Sequence, residues 1–249
     1  MKRTVLITTL LLATSASGVE PTPAALTWAT SKMTRWTAPG TNIHVESSES
    51  AEQAQERYES IAKDAFEVVF DDQEPALFKG KNGKLKTWAT LLSVAHFESS
   101  FRDDVDRGIG TKSRGDHGQS WCLMQIKLGK AVKGKTNTRI NLDTPYAKFT
   151  TKMDEGFGGE DLVQDRKLCF KAALHVMRTS FSMCKALPED ERLAAYASGT
   201  CDKGRQSSRW RVGKALRWVS QGAPSRNDED LIQKSEELDA SYDVGLLND

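Results

Sequence analysis

The amino-acid sequence predicts a mainly α-helical protein of the α+β class: a single compact helical domain with a long loop and a minor strand. Two observations support this prediction. Apolar residues recur at helical spacing in several long segments, whereas only one short apolar run has the length of a strand. The chain has 249 residues, enough for one substantial domain with tails.

The N-terminus has the pattern of a secretory signal peptide. Lys2 and Arg3 precede an uncharged run, and small residues follow up to Gly18. The apolar run is shorter than the ~20 residues that span a bilayer. We therefore expect residues 1–18 to be a signal peptide, the protein to be exported to the periplasm or the extracellular space, and no integral membrane segment to remain after its removal.

The segments between residues 19 and 100 differ in the periodicity of their apolar residues. Residues 19–50 are rich in Pro, Thr, Ser and Ala without a sustained pattern, which is typical of a linker or a loosely packed arm that its two tryptophans could attach to the domain. Helical spacing runs from residue 51 to 70 and again from about 85 to 100. The Asn82-Gly83 pair marks a turn between these two helices.

The remaining elements follow a long loop, residues 102–120, that is rich in glycine and charge. Residues 121–126 are apolar and predict a strand or an extended segment, and residues 127–159 are polar and irregular. Further helices are expected at about 161–183, from Pro188 through Ala197, and at about 208–219. Residues 223–249 are acidic and poor in large apolar residues, so we expect a mobile or loosely packed tail after a domain of residues 51–222.

The charge balance limits the partners. The formal net charge of +1 lacks the basic excess of a dedicated nucleic-acid binder, so no nucleic acid is expected. The cysteines form no CxxC pair and the four histidines do not cluster with them, so no metal site is predicted. No cofactor is predicted either. We expect the protein to be a monomer. Basic residues in 127–135 and 205–217 could attract an anionic wall polymer, although such residues more often form a solvated face.

Four cysteines in a chain expected to be exported predict two disulfide bonds. Cys169 and Cys184 fall at opposite ends of one predicted helix, and at ~1.5 Å per residue they would lie roughly 22 Å apart. A disulfide needs Cα atoms within about 7 Å. We favour Cys122–Cys169 with Cys184–Cys201, and the alternative is Cys122–Cys184 with Cys169–Cys201.

Glu98 is the candidate catalytic acid. It follows Ala95, Val94 and Leu91 by three, four and seven positions, which places it near the inward face of its predicted helix and close to the C-terminal end. Burial and the negative end of the helix dipole both raise the pKa of a carboxyl group there. A carboxylic acid protonated near neutral pH suits glycosidic bond cleavage, because the leaving oxygen must receive a proton. Taken alone, a glutamate turned outward to solvent is the simpler explanation.

Three short motifs favour a catalytic role for Glu98 over a solvent-exposed one. They are Glu98-Ser99-Ser100-Phe101, Leu123-Met124-Gln125-Ile126, and Ala195-Tyr196 with Gly199 close behind. In order and spacing they resemble the signatures of the soluble lytic transglycosylase family, and the resemblance covers roughly residues 58–219. It implies a lysozyme-like fold with a groove for peptidoglycan glycan strands. It also implies that Glu98, as the single acid and base, cleaves the β-1,4 bond between N-acetylmuramic acid and N-acetylglucosamine to form a 1,6-anhydro product.

The resemblance also suggests substrate-binding residues. Ser99 and Gln125 would hydrogen-bond sugar acetamido groups or the backbone near the scissile bond, and Tyr196 would hold Glu98 in position or contact the sugar. Two positions depart from the family pattern, since Cys122 stands where the family usually has glycine and Ala197 where it often has asparagine. The missing asparagine removes one expected polar contact, but neither change alters the acid.

A second resemblance concerns the reaction rather than the substrate. The stretch Gly115-Asp116-His117-Gly118, followed by Leu-Met-Gln, is similar to goose-type lysozymes and places Asp116 where those enzymes have an acidic residue. An inverting hydrolase needs a second carboxylate ~6.5–9.5 Å from the acid to activate water. A lytic transglycosylase needs none, because the 6-hydroxyl of the muramoyl sugar attacks its own anomeric carbon.

Two alternatives therefore stay open. One is a goose-type-like muramidase that adds water through Glu98 and Asp116, with Asp103, Asp104 and Asp106 as less favoured bases because they are expected on a solvated loop. The other is not an enzyme: a wall-binding protein on an inactive lysozyme-like scaffold.

Overall fold

The computed structural model describes residues 19–36 and 49–233. Within these ranges the helices are α1 (Pro23–Trp36), α2 (Ala51–Phe70), α3 (Gly83–Ser99), α4 (Asp103–Asp106), α5 (Gly115–Gly118), α6 (Gly159–Gln164), α7 (Arg166–Met183), α8 (Ala194–Ser198) and α9 (Arg205–Ser220). Single 3₁₀ turns span Thr111–Ser113, Glu189–Glu191 and Asp228–Leu231. This confirms a mainly helical protein.

Short antiparallel strand pairs lie between α5 and α6. They are β1 (Ser120–Trp121) with β2 (Ile126–Lys127), β3 (Ala131–Val132) with β4 (Lys135–Thr136), and β5 (Arg139–Asn141) with β6 (Lys148–Thr150). The apolar run 121–126 is thus a hairpin turn flanked by strand residues, and the segment 127–159 contains two further pairs. Strands of two or three residues are too short to leave a period-two pattern in the sequence.

Helix α3 forms the centre of the core. Ten of its residues from Leu85 to Ala95 are buried, and the helix packs against α1, α2, α7 and α9. Trp88 is fully buried, and its indole N–H donates a 3.0 Å hydrogen bond to the carbonyl of Ala62 on α2. Helix α2 begins where predicted because Ser50 and Gln53 form a reciprocal capping box at its N-terminus.

Helix α1 corrects the expectation of a linker or loosely packed arm over residues 19–36. Ala25, Ala29 and Met33 are fully buried along one face, and the ring of Trp28 lies 4.9 Å from that of Trp218. This short apolar stripe has helical spacing, but the surrounding threonines and serines obscure it in the composition. Residues 37–48 and the expected signal peptide lie outside the described residues.

The start of the C-terminal segment also packs more closely than expected. The carboxylate of Asp228 accepts hydrogen bonds from the backbone N–H groups of Lys84 (2.9 Å) and Leu85 (2.8 Å), so it caps α3 from a distant part of the chain. Leu231 is buried and Ile232 forms a bridge with Pro21. The expectation of a loosely packed tail is wrong up to residue 233, and residues 234–249 lie outside the described part.

Two predicted helices have different boundaries in the structure. The segment 161–183 divides at Asp165, whose side chain accepts a hydrogen bond from the N–H of Leu168 and caps α7. Pro188 precedes a 3₁₀ turn, and α8 begins only at Ala194.

Both disulfide bonds of the favoured pairing are present. The Cα atoms of Cys122 and Cys169 lie 6.2 Å apart, and those of Cys184 and Cys201 lie 5.5 Å apart. Two disulfides are compatible with a secreted protein. Across residues 19–36 and 49–233, no helix has the length and apolar character needed to cross a membrane.

Candidate active site

An open cleft of about 780 Å³ lies between the end of α3, the α5–β2 segment and helices α7, α8 and α9. Its lining residues are Glu98, Gly115, Asp116, Ser120, Gln125, Ile126, Lys127, Phe149, Val176, Ala195, Tyr196, Ala197, Ser198, Gly199, Ser207 and Arg211. The cleft therefore brings together residues from all three sequence motifs. Four of the five predicted site residues line it.

Glu98 lies in the last turn of α3 with its side chain 20% exposed. Its Oε1 atom accepts a 2.6 Å hydrogen bond from Nη2 of Arg211. Burial raises the pKa of the Glu98 carboxyl group above its usual value, and the negative charge of Asp116 adds to this, whereas the charge and hydrogen bond of Arg211 lower it. Burial outweighs the ion pair, so the pKa is raised overall, the direction that a catalytic acid requires.

Arg211 is a cleft residue that the sequence did not identify as a partner of Glu98. In the sequence it belonged only to the basic residues of 205–217. The intervening 113 residues leave no local pattern that would pair it with Glu98. The interhelical packing of α3 and α9 brings the two together, and Ser93 on α3 reinforces it with a 2.8 Å hydrogen bond to the carbonyl of Arg211.

Gln125 lines the cleft, but its amide is used by the protein itself. Its Oε1 accepts a 2.6 Å hydrogen bond from the N–H of Gly115, and its Nε2 donates a 2.9 Å bond to the carbonyl of Cys122. A Cβ atom on Gly115 would lie 2.4 Å from that Oε1, so a larger residue here would displace the Gln125 amide. Gln125 therefore fixes the loop that presents Asp116.

Tyr196 connects two of the motifs. Its hydroxyl group donates a 2.7 Å hydrogen bond to the carbonyl of Met124. Burial raises the pKa of the phenol well above its usual value, and the negative charge of Glu98 raises it further. Tyr196 therefore stays neutral beside Glu98 and remains a hydrogen-bond donor.

Asp116 has a different environment from Glu98. Its side chain is 59% exposed, and its backbone adopts a left-handed conformation with φ of 49°. The hydroxyl of Ser120 donates a 2.9 Å hydrogen bond to Oδ2, and Nζ of Lys127 lies 4.0 Å from the same atom. Asp116 is thus a largely exposed side chain that lines the cleft.

The structure does not bring Ser99 to the cleft. Ser99 is 5% exposed, and its hydroxyl donates a 2.8 Å hydrogen bond to the carbonyl of Ala95 one turn earlier. This corrects its assignment as a substrate-binding residue, since the hydroxyl serves the end of α3. Phe101 and Trp121 are buried core residues.

The aspartates of α4 are not on a solvated loop. Asp103 and Asp104 are buried, and the carboxylate of Asp106 forms a 2.8 Å ion pair with Arg166. Arg57, Arg102 and Arg107 provide the other cations of this network. None of the three aspartates lines the cleft, which leaves Asp116 as the only second carboxylate among its described lining residues.

Within the described residues, no group of three or more histidine, cysteine, aspartate or glutamate side chains is arranged to hold a metal ion. Comparisons with protein-family models, with curated proteins and with solved structures find no match to this chain.

Proposed function

We propose that this protein is an exported peptidoglycan lytic transglycosylase with a lysozyme-like catalytic domain. The observation that most supports this is the position of Glu98: a mostly buried carboxyl group with a raised pKa that reaches an open cleft lined by residues of all three motifs. The two disulfides fit an oxidising compartment. The partner we propose is the glycan strand of peptidoglycan, bound by a monomer.

The chemistry would proceed in two steps at one carboxyl group. Protonated Glu98 gives its proton to the glycosidic oxygen as the bond to the anomeric carbon of N-acetylmuramic acid breaks. The resulting carboxylate then takes the proton of the 6-hydroxyl group as that oxygen bonds to the anomeric carbon. The proton count returns to its starting value and the product is a 1,6-anhydro sugar.

The neighbouring residues fit this cycle. Arg211 stabilises the carboxylate that exists between the two steps, while burial favours the protonated form that begins the cycle. Tyr196 closes the cleft beside Glu98 without titrating. Phe149, 53% exposed on β6, provides an apolar surface on another wall.

A goose-type-like muramidase is the second candidate, and one observation favours it. Asp116 lines the same cleft as Glu98, and its charge raises the pKa of Glu98. An exposed carboxyl group at this position could act as the base that activates water. We favour the transglycosylase because the Ser120 hydroxyl and the nearby Lys127 already engage Oδ2 of Asp116. Catalytic activity in either form would exclude a purely wall-binding role.

The proposal is tested with purified sacculi and the Glu98→Gln variant. The amide is nearly isosteric but cannot supply a proton, so wall solubilisation should fall by ~10²-fold or more. Glu59→Gln is the matched control, because Glu59 is exposed on α2, away from the cleft, and should retain full activity. If folded Glu98→Gln keeps more than about a tenth of the activity, the assignment of Glu98 as the acid is wrong.

A further inference from the structure

The two oxygens of the Glu98 carboxyl group have unequal environments. Oε1 accepts the 2.6 Å hydrogen bond from Arg211, whereas no donor among the described residues forms a hydrogen bond to Oε2. Glu98 lines the cleft and its side chain is 20% exposed, so the carboxyl group is open to the cleft on one side and bound on the other.

Arg211 itself is held firmly by its own helix and by α3. Its Nη1 donates a 3.2 Å hydrogen bond to the carbonyl of Ser207 and also contacts the Ser207 hydroxyl. The guanidinium carbon lies 5.3 Å from the ring centre of Phe97. Its side chain is 12% exposed, against 46% for Arg205 and 50% for Arg209 on the same helix. Arg211 is therefore a fixed, mostly buried cation rather than part of a solvated basic face.

We propose that Arg211 is a positioning residue that anchors Oε1 of Glu98 and leaves Oε2 to present the catalytic proton to the cleft. This inference rests on the proposed role of Glu98 as the acid. The physical reason is that a guanidinium group has N–H donors and no acceptor. The oxygen that faces Arg211 must therefore accept, and when Glu98 is protonated its hydrogen resides on Oε2.

A second consequence concerns the ionised state. The hydrogen bond from a guanidinium to a carboxylate is charge-assisted and stabilises the ionised form selectively. Arg211 thus limits how far burial raises the pKa of Glu98, and it stabilises the carboxylate that must act as base in the second step. Removing the cation should therefore raise the pKa of Glu98 further.

The first test compares the pH dependence of wall cleavage by Arg211→Met, Arg211→Lys and Arg209→Met. In Arg211→Met the decrease in activity on the alkaline side of the pH profile should move to higher pH. The kcat of this variant should drop about tenfold or more, while its KM changes little. Arg211→Lys retains a cation and should return the profile toward that of the wild type. Arg209→Met removes an ion-paired arginine from the same helix, but its partner Glu191 keeps Arg205, so this control should leave the profile unchanged.

The second test does not depend on activity. The pKa of Glu98 is measured by ¹³C NMR in protein with labelled glutamate, with the resonance assigned by its loss in Glu98→Gln. A higher pKa in Arg211→Met, but not in Arg209→Met, supports the anchoring role even if the protein cleaves no peptidoglycan, in which case only the proposed function fails. An unchanged pKa in folded Arg211→Met overturns the inference, and Arg211→Gln serves the same purpose if the Met variant does not fold.

Discussion

The hydroxyl group of Tyr196 donates a hydrogen bond to the backbone carbonyl of Met124 across 72 residues of sequence. This contact joins the Ala-Tyr motif on α8 to the Leu-Met-Gln turn, and it holds both beside Glu98. Met124 is fully buried, so its carbonyl oxygen is not exposed to solvent. The bond therefore fixes one wall of the cleft relative to another.

Substituting Tyr196 by Phe should destabilise the protein and reduce activity. The buried carbonyl of Met124 loses its donor, so the free energy of unfolding should fall by about 1–3 kcal/mol. Urea denaturation measures this directly. Tyr146→Phe is the matched control because Tyr146 is 49% exposed. Equal stability of the two variants would show that the Tyr196 hydroxyl has no structural role.

Acid stability should depend on Glu74. Its carboxylate is buried and accepts hydrogen bonds from His175 (3.1 Å) and Arg178 (2.6 Å). Burial alone would raise the pKa of Glu74, but the hydrogen bonds and the positive charges of these two residues together outweigh burial and lower the pKa to about 2. Because the pKa is lowered in the folded state, the stability that it contributes is present above the ordinary value of 4.5 and is lost as pH falls toward 2.

The Glu74→Gln variant tests this directly. Loss of one partner from a buried ionic cluster should cost ~3–5 kcal/mol at pH 7. The loss of stability between pH 4.5 and 2 should also become shallower than in the wild type, as measured by thermal melts across that range. Glu59→Gln should follow the wild-type curve. A wild-type slope in Glu74→Gln would contradict the assigned pKa.

The two disulfides should contribute unequally. The Cys122–Cys169 bond closes 47 residues and the Cys184–Cys201 bond closes 17. In the chain-entropy model the longer loop stabilises by about 1 kcal/mol more. Replacing Cys122 and Cys169 together by alanine should also reduce activity, because the turn that holds Gln125 loses its covalent link to α7. Equal unfolding free energies and equal activities in this variant and in the variant with Cys184 and Cys201 both replaced by alanine would oppose this account.

Asp116→Asn separates the two candidate reactions. In a transglycosylase the internal 6-hydroxyl group replaces water, so this change should disturb only the loop and reduce activity modestly. In an inverting hydrolase it removes the base and should cost ~10²-fold or more. We expect the modest loss. A loss as large as that of Glu98→Gln, in folded protein, would favour the muramidase.

Local patterns predicted the parts of this protein that local interactions determine. Helix α2 matches its predicted limits because its apolar stripe and its capping box lie within the segment itself. The length of one helix excluded a Cys169–Cys184 bond and left two pairings, of which the favoured one is present. Glu98 could be selected as a candidate because its position on α3 and its motif lie within a few residues of each other.

The features that the sequence did not predict depend on contacts between residues that are distant in the chain. The partnership of Arg211 with Glu98 and the capping of α3 by Asp228 have no local signature, since each joins residues more than a hundred positions apart. Ser99 was misassigned because a serine at a helix end has two hydrogen-bonding options. The structure shows that it takes the carbonyl of Ala95 rather than the cleft.

The measurement that tests the central claim most directly is mass spectrometry of muropeptides released from sacculi by the mature protein in ¹⁸O-labelled water. We predict products that end in 1,6-anhydro-N-acetylmuramic acid and contain no ¹⁸O, and no such products from Glu98→Gln. Reducing ends that contain one ¹⁸O atom would contradict the transglycosylase assignment and establish hydrolysis. The absence of any released muropeptide from the folded wild-type protein would contradict the enzymatic assignment altogether.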